Sequence, residues 1–274
     1  MTNTLFVSSL ALATSLAVLP AFGAPVVFSG SGADPAAISG VRDAFRVAIG
    51  GGTSVGANGS FGGVRREINW DGVPDAQSAP NNLNADFFNV NSPRGVVFST
   101  PGSGGFQLSA NSGAAAVEFG NINPTYPGIF QTFSPQRLFT ALGSNVMDVN
   151  FFVAGTTVPG FTSAFGSVFT DVDVADTKIA FFSGANFLGQ FSAPIANNGL
   201  SFLGVRFNAG ERITRVRITS GNTALGQNVN DSQATDVVVM DDFIFAEAQA
   251  VPEPPTLLLL AAGLLAVGAA RKRR

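Results

Sequence analysis

Residues 177–192 read TKIAFFSGANFLGQFS and predict two short strands joined by a tight turn. Apolar and aromatic residues dominate on both sides of Ser183–Asn186, and a short glycine-containing loop between two such runs is typical of a β-hairpin. Residues 200–207 and 212–219 repeat this pattern around Asn208–Glu211, so we expect a second hairpin there. This part of the chain therefore predicts an antiparallel sheet.

Strand patterns extend on both sides of these hairpins. In residues 146–153 apolar side chains alternate with Asp148 and Asn150, and residues 236–247 form a further long strand pattern. Short strands punctuated by Gly- and Pro-rich turns predict an all-β fold, an antiparallel, jelly-roll-like β-sandwich over residues 24–250. A Gly- and Asn-containing stretch at 143–145 leaves two small β domains as the alternative.

One amphipathic helix is predicted before the strands. Asp34 is a suitable N-cap, and Pro35 occupies the favoured first helical position. Apolar residues then recur at helical spacing from Ile38 to Ile49, and Gly50–Gly52 ends the pattern. We expect this helix to pack against the sheet.

Composition excludes several classes of catalyst. The chain has 274 residues, of which 46% are hydrophobic, and it contains neither Cys nor His. Catalysis by Ser-His-Asp or Cys-His groups and His- or Cys-based zinc sites are therefore excluded. The last four residues are basic, and the rest of the chain has 11 basic and 18 acidic residues, a net charge of −7. An acidic body of this kind disfavours binding to nucleic acid.

The N-terminal segment has the pattern of an export signal. Residues 5–19 form an apolar run, and Ala21 and Gly23 fit the small-residue pattern that signal peptidase recognises. We therefore predict a signal peptide at residues 1–23, with Ala24 as the first residue of the mature chain. The n-region contains no Lys or Arg, which departs from the usual pattern, and an uncleaved anchor is the alternative.

The C-terminal segment has three parts. The prolines of Val251–Pro255 predict a rigid extended spacer, and the following residues, 256–270, predict a short transmembrane helix because 257–270 are all apolar. The tail Arg271, Lys272, Arg273 and Arg274 then holds its end of the helix in the cytoplasm by the positive-inside rule. A buried core helix at the chain end is the alternative.

This order of parts resembles the PEP-CTERM sorting signal of exported bacterial proteins. The resemblance rests on Val251, Pro252, Glu253 and Pro254, followed by the apolar run and the basic tail, so it covers residues 251–274. It implies recognition and cleavage near Pro252–Pro254 by an exosortase. It also implies an inner-membrane intermediate and a final place at the cell surface or in the extracellular matrix of a Gram-negative bacterium. Four stretches of the body, 66–75, 86–110, 119–144 and 168–182, also resemble a group of exported bacterial proteins, and this resemblance carries over no functional residue.

Two pairs of acidic residues are candidates for a metal site. In VVVMDDFIFAE, residues 237–247, strict alternation places Asp241 and Asp242 on opposite faces of a strand, each among apolar neighbours. Structural bonding to Arg215, to Arg217 or to backbone donors is one interpretation, and a structural Ca²⁺ ion is the other. Asp171 and Asp173 lie on one face of another strand, as solvated charges or as further ligands of the same Ca²⁺ ion.

The functional hypotheses differ in what the body does after export. The leading one is a non-catalytic protein with a structural or adhesive role in an exopolysaccharide matrix or biofilm, and with no obligatory cofactor. The second is a carbohydrate-binding module in which Trp70 stacks on a sugar, although core packing is the competing interpretation of this residue. A carboxylate-based glycosidase is a third hypothesis, and the chain's five Glu residues show no paired signature for it.

Overall fold

The computed structural model describes residues 23–251, except for residues 53, 54, 112, 114, 115 and 233. The chain folds mainly into antiparallel strands, so the predicted all-β class is confirmed. The strands in chain order are β1 (Val26–Gly32), β2 (Arg65–Ile68), β3 (Val96–Ser99), β4 (Gly105–Leu108), β5 (Phe139–Leu142), β6 (Val146–Phe151), β7 (Gly160–Phe161), β8 (Ala164–Val172), β9 (Lys178–Ser183), β10 (Asn186–Ser192), β11 (Ala196–Arg206), β12 (Arg215–Thr219), β13 (Val239–Ala246) and β14 (Gln249–Ala250). The helices are α1 (Pro35–Ile49) and α2 (Phe87–Val90), with 3₁₀ turns at Asp75–Gln77 and Tyr126–Gly128.

The strands form two large sheets and one small one. The seven-stranded sheet has the order β1-β11-β8-β13-β5-β4, with β2 also paired to β13. The five-stranded sheet has the order β10-β9-β12-β6-β3, and β14 pairs with β7. Strands from both sides of residues 143–145 enter each of the large sheets, and this short stretch connects β5 of one sheet to β6 of the other.

The two large sheets pack face to face through a core rich in phenylalanine. Phe98 of β3 lies with its ring centroid 5.0 Å from that of Phe139 in β5. Phe151 of β6 lies 6.3 Å from Phe165 of β8 in the same way. All four rings are buried, as expected for facing sheets whose inner side chains interdigitate.

The outer face of the seven-stranded sheet is covered as well. Helix α1 packs on it through Ile38 and Phe45, and residues of the 119–138 segment form a further buried cluster beside it. Every residue of β8 and β13 is therefore buried. A strand that is buried on both faces shows no alternation of polar and apolar residues, which is why the sequence indicated a strand only at the Asp171 end of β8.

Helix α1 begins and ends where the sequence predicts. The Asp34 side chain accepts a hydrogen bond of 3.0 Å from the N–H of Ala37, and Pro35 is the first helical residue. Gly50 ends the helix with a φ of 106°, a value that L-residues with a side chain rarely adopt. The cap, the apolar stripe and the glycine stop were each readable because they are local features of the chain.

The second predicted hairpin is wrong. β11 belongs to the seven-stranded sheet and β12 to the five-stranded sheet, so the chain crosses between sheets at residues 207–214. Both edges of β11 are already paired, one with β1 and the other with β8, which leaves no edge for β12. The crossing segment instead continues along residues 162–163: Phe207 N–H donates to the Ser163 carbonyl oxygen at 2.9 Å, and Ile213 N–H donates to that of Thr162 at 2.9 Å.

Two glycines make room for Phe45 of α1 at the centre of the large sheet. Gly166 of β8 and Gly204 of β11 are cross-strand partners. A Cβ added at either position would lie 2.8 Å from the Phe45 ring. The close approach of the helix to the sheet therefore depends on the absence of side chains at these two positions.

Gly166→Ala is expected to lower the free energy of unfolding by about 1–3 kcal/mol because the new methyl group overpacks this contact. The added Cβ would also lie 2.9 Å from the Gly204 Cα atom, so a rotation of Phe45 alone would not relieve the clash. Denaturant unfolding measures the change. Gly40→Ala, on the exposed side of α1 with nothing within 4 Å of the new methyl, is the control. It is expected to raise stability by up to about 1 kcal/mol, and a neutral result at Gly166 would contradict the packing argument.

Among the described residues, no helix is long and apolar enough to cross a membrane. The predicted signal peptide, apart from Gly23, and the predicted transmembrane helix at 256–270 lie outside the described residues.

Candidate functional site

Three aspartates from two distant segments meet beside the end of β8. Asp171 belongs to β8, Asp173 follows that strand, and Asp231 lies in the loop that precedes β13. One carboxylate oxygen from each residue lies within 4.8 Å of the other two. Asp171 and Asp173 were predicted together from the sequence, and Asp231 was not. We call these three residues the acidic cluster.

Asp171 is held in an unusual backbone conformation. Its φ is 67°, in the left-handed region, and residues 197–199 of β11 bulge opposite it. Its side chain is fully buried and accepts one hydrogen bond, of 2.7 Å, from the N–H of Asn198 to Oδ1. Its other oxygen, Oδ2, has no hydrogen-bond donor, and neither does the buried Oδ1 of Asp173. Buried carboxylate oxygens without donors are costly, so these two atoms require a further partner.

A fourth aspartate holds the two segments of the cluster in place. Asp236 is fully buried, and its two oxygens accept hydrogen bonds from the N–H groups of Asp173 at 3.2 Å and Val174 at 3.4 Å. Asp231 accepts a hydrogen bond of 3.2 Å from the N–H of Val237. The turn after β8 and the loop before β13 are thus fixed to each other.

The charges around the acidic cluster all have the same sign. Burial raises the pKa of Asp171 to about 7, with further contributions from the negative charges of Asp231, Asp173 and Asp236. Burial likewise raises the pKa of Asp236 to about 6. None of the salt bridges formed by the described residues includes any of these four carboxylates. The acidic cluster is therefore a region where negative charges repel one another.

Asp241 and Asp242 lie on the same face of β13, and not on opposite faces as predicted. A β-bulge between Met240 and Phe243 places two residues of β13 opposite one residue of β8. Met240 and Phe243 consequently both point into the core between the sheets. A bulge adds one residue to the alternation, and no local pattern in VVVMDDFIFAE marked its position.

The partners of this aspartate pair are backbone donors and a serine. Asp241 Oδ2 accepts hydrogen bonds from the N–H groups of Phe133 at 2.6 Å and Ser134 at 3.2 Å. The Ser134 hydroxyl lies 2.8 Å from Asp242 Oδ1. Burial and the charge of Asp242 raise the pKa of Asp241 well above its ordinary value. The predicted four-carboxylate set is thus divided between the acidic cluster and this separate pair.

The predicted arginine partners bind elsewhere. Arg217 Nε and Nη2 lie 2.7 Å and 2.9 Å from the two oxygens of Asp148, and Arg215 Nη1 lies 3.2 Å from Asp148 Oδ1. These three residues lie on adjacent strands of the five-stranded sheet, on its outer face. Arg215 and Arg217 do not pair with Asp241 or Asp242, because those aspartates belong to the other sheet.

A polar groove of about 490 Å³ lies between α1 and the large sheet, and Asp242 and Glu67 both line it. Facing carboxyl groups across a groove are the arrangement that a glycosidase requires. Here both oxygens of Glu67 are engaged, one by Arg46 at 2.5 Å and the other by Arg65 at 2.6 Å. Glu67 therefore functions as a salt-bridge partner that joins α1 to β2.

Trp70 is part of the hydrophobic core. It is 1% exposed, and its ring stacks on Phe139 with a centroid distance of 4.3 Å. Tyr126 is fully buried as well, so the single Trp and the single Tyr are both unavailable for stacking on a sugar. The structure thus confirms the core-packing interpretation of Trp70 and removes the aromatic platform of the carbohydrate-binding hypothesis.

The described chain ends close to the small sheet. β14 pairs with β7, and the N–H of Val251 donates to the Pro159 carbonyl oxygen at 3.1 Å. Comparison with protein-family models matched residues 250–274 to the model described as the PEP-CTERM protein-sorting motif. The chain carries a PEP-CTERM sorting motif. Comparisons with curated proteins and with solved structures gave no match.

The PEP-CTERM match confirms the resemblance seen in the sequence, and it supports an exported protein that is processed by an exosortase. The motif starts at the last residue of β14, so the folded body extends to the beginning of the sorting signal. Val251 is exposed. Pro252, Glu253, Pro254 and the basic residues 271–274 lie outside the described residues, and their individual roles stay predictions.

Proposed function

We propose that this chain is a non-catalytic protein of the cell surface or exopolysaccharide matrix of a Gram-negative bacterium. Signal peptidase removes residues 1–23, the C-terminal segment holds an inner-membrane intermediate, and an exosortase then cleaves near Pro252–Pro254. The mature β-rich body takes a structural or adhesive place in the matrix or biofilm. The observation that carries this proposal is the PEP-CTERM motif at residues 250–274.

The character of the body supports a structural role. The chain has no Cys or His. Glu67, which lines the polar groove together with Asp242, is neutralised by Arg46 and Arg65. The body is acidic, as is common for proteins that must stay soluble after export and must not bind anionic surfaces. We therefore propose that the body acts through its folded surface, and that it is not an enzyme.

The proposal is tested by fractionating an exopolysaccharide-producing Gram-negative host that expresses the chain, with and without its exosortase. In the host with exosortase we expect a mature protein in the surface or matrix fraction, whose mass locates both cleavages. Without exosortase, and for Glu253→Gln in the complete host, we expect a longer, membrane-associated form to accumulate. Glu118→Gln, the same change outside the motif, is the control and should be processed normally.

The outcomes separate the parts of the proposal. Intact chains with both termini in the cytosol of both strains would contradict export and sorting. A mature form found only in the free medium would contradict the matrix role while leaving sorting intact. If the purified protein cut the host's exopolysaccharide into shorter saccharides, the non-catalytic assignment would be contradicted.

A further inference from the structure

The three carboxylates of the acidic cluster are arranged like a set of metal ligands. We propose that Asp171, Asp173 and Asp231 bind one Ca²⁺ ion. This inference rests on the carboxylates alone and does not depend on the proposed function.

The spacing of the oxygens matches Ca²⁺. Calcium binds oxygen at about 2.3–2.6 Å, so two oxygens on one ion lie at most about 5 Å apart. One oxygen of each aspartate lies within 4.8 Å of the others. Ionised carboxylates this close together repel one another unless a cation lies between them.

The unpartnered oxygens are the second, independent observation. Asp171 is fully buried, and its Oδ2 accepts no hydrogen bond from any described group. The Asn198 N–H fixes the other oxygen of the same carboxylate, and Asp231, Asp173 and Asp236 are the charges that act on it most strongly. The Asp171 carboxylate is thus anchored through Oδ1, while its Oδ2 accepts no hydrogen bond and two further carboxylates lie nearby. A carboxylate held in this way is positioned as a metal ligand.

The donor set selects among the common ions. All three donors are carboxylate oxygens, which favour the hard cations Ca²⁺ and Mg²⁺ over zinc and other ions that prefer nitrogen or sulfur. Mg²⁺ requires near-ideal octahedral geometry and usually keeps several waters, whereas Ca²⁺ accepts flexible geometry. Three carboxylates from a turn and a loop therefore fit Ca²⁺ better, with backbone carbonyls and water to complete the six to eight ligands that the ion takes.

The ion would add a further connection between two parts of the chain that Asp236 already joins. Asp171 and Asp173 belong to the end of β8 and the turn after it, and Asp231 belongs to the loop before β13. Asp236 supports the arrangement from behind through its bonds to the N–H groups of Asp173 and Val174. Binding of Ca²⁺ should accordingly stabilise the folded body.

The test is calcium titration and thermal unfolding of the full-length chain, purified in a mild detergent. Wild type should release or absorb heat when CaCl₂ is added to EDTA-treated protein. Its melting temperature should rise by about 5–10 °C at a Ca²⁺ concentration near 100 times the dissociation constant. MgCl₂ at the same concentration should give a smaller rise. Asp171→Asn and Asp231→Asn should each weaken Ca²⁺ binding at least about tenfold by removing one charged ligand.

The order of stabilities is the decisive readout. In EDTA the two variants should melt at or above the wild-type temperature, because each change reduces repulsion inside the cluster. In Ca²⁺ the wild type should melt higher than both, and a variant that merely damages the fold cannot produce this reversal. Asp176→Asn, an exposed aspartate three residues after Asp173, is the control and should behave as wild type. Absence of calcium binding by wild type, or an equal rise in melting temperature in all variants, would overturn the proposal.

Discussion

Trp70→Ala is expected to lower the free energy of unfolding of the body by about 3–5 kcal/mol, the usual cost of removing a large buried aromatic side chain. Trp70 is 1% exposed and contacts the rings of Phe88, Phe98, Phe139 and Phe243. Its removal therefore leaves a cavity enclosed by apolar side chains. These partners belong to α2, β3, β5 and β13. Removing the indole ring would therefore remove packing contacts to both large sheets at once. Urea or guanidinium unfolding followed by circular dichroism measures the change.

Two comparisons make this expectation specific. Trp70→Phe should cost less, because it fills part of the volume and removes the indole N–H, which has no hydrogen-bond partner in the structure. Phe187→Ala removes an aromatic ring that is 61% exposed and should change stability little. A Trp70→Ala protein as stable as wild type, with weaker binding to polysaccharide, would show instead that Trp70 faces a ligand.

Asp241 is expected to respond in opposite directions to two substitutions at neutral pH. Asp241→Ala should be destabilising by about 1–3 kcal/mol for each N–H of the 133–134 segment that it leaves without an acceptor. Asp241→Asn should be stabilising, since its amide oxygen keeps those bonds and its NH₂ group carries no charge that would repel Asp242. Thermal or denaturant unfolding at pH 7 distinguishes the two results.

The stability of the folded protein should also fall with rising pH because of Asp241. The pKa of Asp241 is raised in the folded state from the ordinary value of 3.8, chiefly by burial. The folded state therefore holds a proton that the unfolded state has released, and the stability contributed by this group falls as pH rises above about 4 through the raised value. Asp241→Asn should remove this part of the pH dependence.

Asp43 is the control for Asp241, because its pKa is lowered in the folded protein where that of Asp241 is raised. Burial raises its pKa slightly, but the charge of Arg42 and hydrogen bonds from Arg42 and Arg46 lower it overall. Asp43→Asn should consequently reduce stability slightly at neutral pH, where Asp241→Asn increases it. If Asp241→Asn were as destabilising as Asp241→Ala at every pH, Asp241 would have to be ionised in the folded protein.

The candidate metal site was only partly readable from the sequence. Asp171 and Asp173 stood out because alternation in one strand places them on the same side. Four strands, β9 to β12, separate Asp231 from them along the chain, and nothing in its own loop marked it as a neighbour. Asp241 and Asp242 stood out as buried charges in an apolar strand, and the β-bulge then gave them backbone donors as partners in place of an ion.

The sequence by itself determined the local and the terminal features of this protein. The cap and glycine stop of α1, the hairpin of β9 and β10, and the PEP-CTERM motif at residues 250–274 all depend on residues a few positions apart. Periodicity, capping and linear motifs operate over such distances, so these features needed no knowledge of the fold.

Only the tertiary structure decided how distant segments meet. It placed β11 and β12 in different sheets, because both edges of β11 are paired. It covered both faces of β8, which is why the sequence showed alternation only at the Asp171 end of this strand. It also brought Asp231 to Asp171 and enclosed Trp70 in a ring of phenylalanines. Edge pairing, burial on two faces and contacts between loops are set by the packing of the whole chain, and that packing is not encoded in any one stretch of it.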